Sequence, residues 1–232
     1  MNLLKFKTIK ELGNHTSDII IRDILQKPDL LLCTASGNST TETYIQLTQK
    51  KEQFSSAKLR ILKLDEWCGI ESCNPHTCET YLRNYIVAPL KINEENYISF
   101  QCDPTAPEIE ANRILNYLNQ HGPIDVCILG LGLNGHIAFN EPSDFLQPNC
   151  HVAELSEASK KHPMFLNMNR KPTYGLTLGM TDILQSKKVI LIISGKNKQP
   201  IIEKFLTKKI TTSLPASFLW LHKNVECLIV EE

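Results

Sequence analysis

Short aliphatic runs recur along the chain at 29–34, 59–64, 125–130, 189–194 and 225–230. Most are continuous rather than alternating, the pattern of strands covered on both faces; a strand with one wet face alternates apolar and polar positions. Between them lie helix-like stretches at 41–53, 77–85, 107–120 and 198–206. Pro107 ahead of Glu108 and Glu110 makes a helix start, because proline lacks only an N–H that the first turn cannot use. Strands alternating with helices predict one α/β domain over 1–232, with a mostly parallel central sheet flanked by helices. The pattern is entered at about Asp29, and no repeat, low-complexity tract or interdomain linker interrupts it.

In parallel sheets ligands bind beyond the carboxyl ends of the strands, so the residues after each run are where chemistry is sought. After the first run comes Ser36-Gly37-Asn38-Ser39-Thr40, small, hydroxyl-rich and leading into a helix. Such a turn can cradle phosphate on backbone N–H groups, or Ser39 or Thr40 can simply cap the helix. After the second run stand Asp65 and Glu66, followed by Trp67. Paired carboxylates at a strand end suit acid/base work, and burial beside Trp67 and Cys68 would raise a carboxyl pKa. The alternative is a solvated loop.

After the third run, Gly130-x-Gly132-x-x-Gly135 matches a dinucleotide fingerprint, with Glu154 about 20 residues on where a ribose-binding acid would sit. That reading is rejected, because Asn140-Glu141-Pro142 interrupts any crossover helix. A tight loop that projects Asn134, His136 and Glu141 into a common site fits better, with the histidine and its carboxylate as a proton relay; a locally bonded core histidine is the bland alternative. After the fourth run, Gly195-Lys196-Asn197-Lys198 offers a cation for an anionic ligand, or only solvated turn lysines.

Composition narrows the partners. The 232 residues are 42% hydrophobic and 22% charged, with 25 Lys+Arg against 25 Asp+Glu. That balance gives no general pull toward nucleic acid or an anionic membrane, so neither is expected as a partner. No apolar run approaches the roughly 20 residues that span a bilayer, and residues 1–8 lack a signal-peptide core, so a cytoplasmic protein is expected. Disulfides are then disfavoured, and Cys33, Cys127 and Cys227 read as buried small hydrophobes. Cys68, Cys73, His76 and Cys78 crowd together, but their C-x4-C-x2-H-x-C spacing lacks the paired form of structural zinc sites. Loop packing is the preferred reading, with no metal.

The segments 64–67, 130–142 and 214–222 resemble the glucosamine-6-phosphate deaminase/isomerase family over nearly the whole chain, and the string Gly-x-Asn-Gly-His-Ile-x-Phe-Asn-Glu-Pro is long and specific. Segments 77–81, 146–151 and 214–222 look closest to its galactosamine-6-phosphate branch. The resemblance implies a modified Rossmann-like fold shared with 6-phosphogluconolactonase and ribose-5-phosphate isomerase, an amino-sugar phosphate substrate and no cofactor, and it leaves room for a homo-oligomer. It implies Asp65 as the base between C2 and C1, His136 with Glu141 as the ring-opening pair, Ser36, Gly37, Asn38 and Ser39 as the phosphate loop, and Lys198 as a phosphate lysine. Glu66 and Asn134 would orient substrate or His136.

Three departures stand out. Some relatives carry Asp at position 134, the usual loop reads T-G-x-T-P, and no arginine aligns with the lid arginine, Lys160 and Lys161 being the nearby substitutes. The rivals are glucosamine 6-phosphate as substrate, a lactone hydrolase, and a non-catalytic sugar-phosphate sensor. A sensor needs a DNA-binding segment, for which the residues before Asp29 leave little room.

Overall fold

The structure, a computed structural model, describes residues 1–70, 74–155 and 171–231. It begins earlier than the hydrophobic runs imply. Strand β1 (Asn2–Phe6) leads into an 18-residue helix α1 (Ile9–Gln26). Thr8 accepts the N–H of Glu11 while the Glu11 carboxylate accepts the N–H of Lys7, and Leu12, Ile20 and Ile24 fill one buried stripe. A capped start and an apolar face at helical spacing are what a packed surface helix requires.

The order continues β2 (Leu31–Thr34), α2 (Asn38–Gln49), β3 (Arg60–Lys63), β4 (Asp65–Cys68), α3 (Cys78–Leu82), β5 (Tyr97–Ile98), α4 (Pro107–His121) and β6 (Val126–Gly130). Then come β7 (His151–Glu154), β8 (Tyr174–Thr177), α5 (Met180–Leu184), β9 (Lys188–Ile193), α6 (Gln199–Leu206) and β10 (Val225–Val230). All five aliphatic runs lie in one seven-stranded sheet, ordered β1-β10-β9-β6-β2-β3-β5, in which every pairing is parallel. Successive residues serve opposite faces: Cys127 and Leu129 join one core cluster, Val126 and Ile128 the other. Both faces are covered, which is why these strands show no polar alternation.

A second sheet is antiparallel, ordered β4-β8-β7, with Asp65 opposite Thr177. Leu64, the residue between β3 and β4, accepts the N–H of Leu178 through its carbonyl while its own N–H reaches Thr34. The segment that reads as a polar loop is thus a hinge between two sheets.

The Cys68 thiol approaches the Gln101 carbonyl at 3.7 Å and the Cys78 thiol approaches Asp65 at 3.7 Å, while Cys73 lies outside the described residues. Among the described residues no group of three or more His, Cys, Asp or Glu side chains could hold a metal ion, and no helix is long and apolar enough to cross a membrane.

Candidate active site

A cavity of about 700 Å³ opens where β2, β3, β6 and β9 end. Residues 35–40, Leu64 and Asp65, residues 130–134 and His136, and residues 194–196 with Lys198 line it. All four loops singled out from the sequence therefore share one wall-to-wall space, in the size range of small-molecule sites.

Asp65 and Glu66 do not share it. Neighbouring residues of a strand point to opposite faces. Asp65 faces the cavity, whereas Glu66 is fully buried behind it. One Glu66 oxygen accepts the backbone N–H groups of Trp67 and Cys78; the other accepts from Glu79 N–H and, at 2.7 Å, from the Lys63 ammonium. Glu66 anchors the start of α3 and balances a buried lysine, so the expectation that it orients substrate is corrected. Lys63 also pairs with Glu79 at 2.7 Å; burial pulls its pKa down, but the two carboxylates prevail and hold it charged.

Asp65 is 7% exposed. Burial and then the Glu66 charge push its pKa up to about 7, against the opposing pull of the Cys78 thiol, His136 and Lys63. A carboxyl poised there can both take and return a proton near neutral pH.

The 130–142 loop shows why its glycines are not a dinucleotide fingerprint. No crossover helix follows, and Ile137 bridges to Asn140 instead. A Cβ on Gly132 would stand 2.4–2.5 Å from the His136 ring, so the imidazole needs that bare backbone beneath it. Gly135 has φ +90°, and a side chain there would also meet Leu214. Glu154 lies exposed on β7 rather than at the cavity.

The three polar side chains of this loop do meet. Asn134 donates through Nδ2 to Glu141 at 2.7 Å, and its Oδ1 lies 2.7 Å from His136 Nδ1. The amide orientation follows from Glu141, which accepts only. Oδ1 then faces the imidazole, Nδ1 carries the proton, and Nε2 is the basic nitrogen left to a ligand. Glu141 stands 3.5 Å from Nδ1, with Asn134 interposed. Since an amide does not pass a proton on, the histidine–carboxylate relay expected from the sequence becomes a fixed tautomer backed by a charge.

At the far end, α2 starts three residues earlier than its apolar pattern implies, directly after Gly37. No side chain caps it: Thr40 and Thr41 turn their hydroxyls back to the Gly37 carbonyl, as does Tyr81. The Thr40 N–H closes on the Gly37 carbonyl at 3.1 Å, and the amides of Asn38 and Ser39 are left to an anion or to water, against the capping alternative. Ser36, Gly37, Asn38 and Ser39 all line the cavity. Lys198 also lines it, its ammonium tied to the Leu131 carbonyl at 2.6 Å, with Lys196 on the same wall. Lys160 and Lys161 lie outside the described residues.

Sequence reasoning missed two wall residues and one buried neighbour of Asp65. Trp67 and Phe139 pack with ring centroids 4.2 Å apart, and both line the cavity. Cys78, read as a metal candidate and as part of the 77–81 segment, lies against Asp65. Their signal was apolar spacing around polar motifs, which marks a wall only once β4 is known.

Residues 6–229 match the family described as glucosamine-6-phosphate isomerases/6-phosphogluconolactonase. AgaI of Escherichia coli (strain K12), named as a deaminase, is 39% identical over 231 residues, covering 96% of this chain and 92% of that protein. The glucosamine-6-phosphate deaminase of Bacillus pumilus (strain SAFR-032) is 32% identical over 238 residues, covering 100% and 98%. The solved structure of a monomeric glucosamine-6-phosphate deaminase of the NagB superfamily matches with a TM-score of 0.95 at 30% identity, covering 100% and 98%. A 6-phosphogluconolactonase from Trypanosoma brucei matches with a TM-score of 0.78 at 20% identity, covering 99% and 95%, a likeness of fold.

Proposed function

We infer substrate and mechanism from one premise: this chain belongs to the glucosamine-6-phosphate isomerase/6-phosphogluconolactonase family, and it is an amino-sugar-6-phosphate deaminase/isomerase. Its substrate is galactosamine 6-phosphate, and its products are tagatose 6-phosphate and ammonia. The branch motifs at 77–81, 146–151 and 214–222 support the galacto configuration.

The observation that carries the mechanism is Asp65, a buried carboxyl facing the cavity with its pKa raised to about 7. His136 Nε2 takes the proton of the C1 hydroxyl and passes it to O5 as the C1–O5 bond breaks, leaving an aldehyde. Asp65 takes the C2 proton while the C2 ammonium gives one to O1, leaving an enolamine with a hydroxyl on C1. Asp65 returns its proton to C1, leaving an iminium at C2. Water adds there and ammonia departs. The C2 proton is weakly acidic, so alignment must supply much of the catalysis. The amides and hydroxyls of residues 36–39 with Lys198 grip the phosphate and supply remote binding energy for that alignment.

The test is to give the purified protein galactosamine 6-phosphate and glucosamine 6-phosphate separately, and to measure ammonia and the ketose formed. Higher kcat/KM with the galacto sugar is expected. A preference for the gluco sugar reassigns the substrate, and silence with both sinks the reading.

A further inference from the structure

We propose that Cys78 is a positioning residue that ties the base Asp65 to the phosphate loop through a hydrogen-bonded chain, Ser36 hydroxyl to Cys78 sulfur to Asp65 carboxylate. This deepens the reading of Asp65 as base and rests on it. Ser36 Oγ donates to Cys78 Sγ at 3.0 Å, and the thiol donates to Asp65 Oδ1 at 3.7 Å. Cys78 is 1% exposed, packed in an apolar cluster with Trp67, Ile70 and Phe139. Its own N–H is held at 2.9 Å by Glu66, the residue after the base. The sulfur is therefore fixed from two sides.

The thiol donates to Asp65 Oδ1. Burial, then the nearby charges of Glu66 and Asp65, push its pKa well up, so it stays protonated through the working range. A hydroxyl donating into the sulfur polarises the S–H and strengthens what it gives to Asp65. Ser36 also lines the cavity at its phosphate end. When its hydroxyl turns to a phosphate oxygen, the donation into Cys78 is withdrawn and Asp65 becomes more basic. Occupancy of the remote end thus reaches the base through one side chain.

Glu66 and Lys63 at the β3–β4 hinge, His136 from the loop after β6, Cys33 from β2 and Cys78 from α3 all act electrostatically on Asp65 or on its neighbours. Of these, Cys78 is hydrogen-bonded to Ser36 of the phosphate loop.

The test compares Cys78→Ala and Cys78→Ser with the parent by the pH dependence of kcat/KM, and by carboxyl-carbon NMR titration of Asp65 in the ligand-free proteins. Removing the donor should move the Asp65 titration and the acid limb upward by roughly half a unit to one unit, with kcat falling more than KM rises. Serine, a stronger donor, should bring both below the parent value. A Cys78→Ala titration that coincides with the parent's overturns the proposal; should that variant fail to fold, coincidence of Cys78→Ser with the parent does so. The NMR titration needs no turnover. A parent that releases no ammonia therefore fails the reading of the base, while the chain through Cys78 is still decided.

Discussion

His136 Nδ1 donates to Asn134 Oδ1 across 2.7 Å, and it can do so only because the other end of that amide is held by Glu141. The carboxylate acts on the imidazole through a neutral spacer. Glu141→Gln tests the charge apart from the geometry, since the glutamine oxygen still accepts from Asn134. Outer partners of a working histidine typically contribute 10- to 100-fold, so kcat is expected to fall by about 10-fold with KM nearly unchanged. Steady-state kinetics at a pH above the acid limb decide it; an unchanged kcat means the charge plays no part.

Asp65 sets activity against stability. The unfolded carboxyl titrates near about 4, the folded one at about 7. Between those values the folded protein binds more protons than the unfolded chain, so the contribution of the protonated carboxyl is full below about pH 4 and lost as pH rises through about 7. Asp65→Asn escapes that loss. It should match the parent in unfolding free energy at pH 4 and exceed it by roughly 2–4 kcal/mol at pH 8, while ammonia release is abolished. Urea titrations at the two pH values give the difference. A parent acid limb far from 7, or an asparagine variant that keeps near-normal turnover, removes Asp65 from its role.

The strands were legible because each is aliphatic throughout, and the loops because strand ends in a parallel sheet predict where to look. Helix α1 was legible too and was overlooked: Thr8 and Glu11 stand at capping distance ahead of Leu12, Ile20 and Ile24. The β4-β8-β7 sheet was not. Half of β4 is acidic, and its partner Thr177 lies far away in sequence, so nothing local marks it as a strand. That omission misled the reading of Glu66. Once Asp65 and Glu66 are consecutive strand residues, only one of them can face the cavity. The tautomer of His136 is a matter of which amide end Glu141 holds, and no residue order encodes it.

Gly132 is a steric prediction. The His136 ring lies where a Cβ would sit, at 2.4–2.5 Å, and φ at Gly132 is not in the left-handed region. Gly132→Ala should therefore fold, but with the imidazole pushed aside. A displacement on the order of 1 Å at a catalytic group can lower turnover about 100-fold. The expected result is that loss in kcat with a thermal midpoint close to the parent's. A variant with parental kcat would show that His136 has room to keep its place.

Lys63 joins the stability of the hinge to the chemistry in front of it. Its ammonium is fully buried between Glu66, also fully buried, and Glu79. Removing one partner of a buried ion pair leaves an uncompensated charge and costs about 3–5 kcal/mol. Lys63→Met should show that loss as a lower urea midpoint with unchanged slope. Adding Glu79→Gln to it should cost less than the two single changes summed, because the second charge no longer needs a partner. Lys63 also draws the Asp65 pKa down, so its removal should carry the acid limb of kcat/KM upward. A stability loss with an unmoved limb would confine Lys63 to the scaffold. The two shifts together would make it part of what sets the acidity of the base.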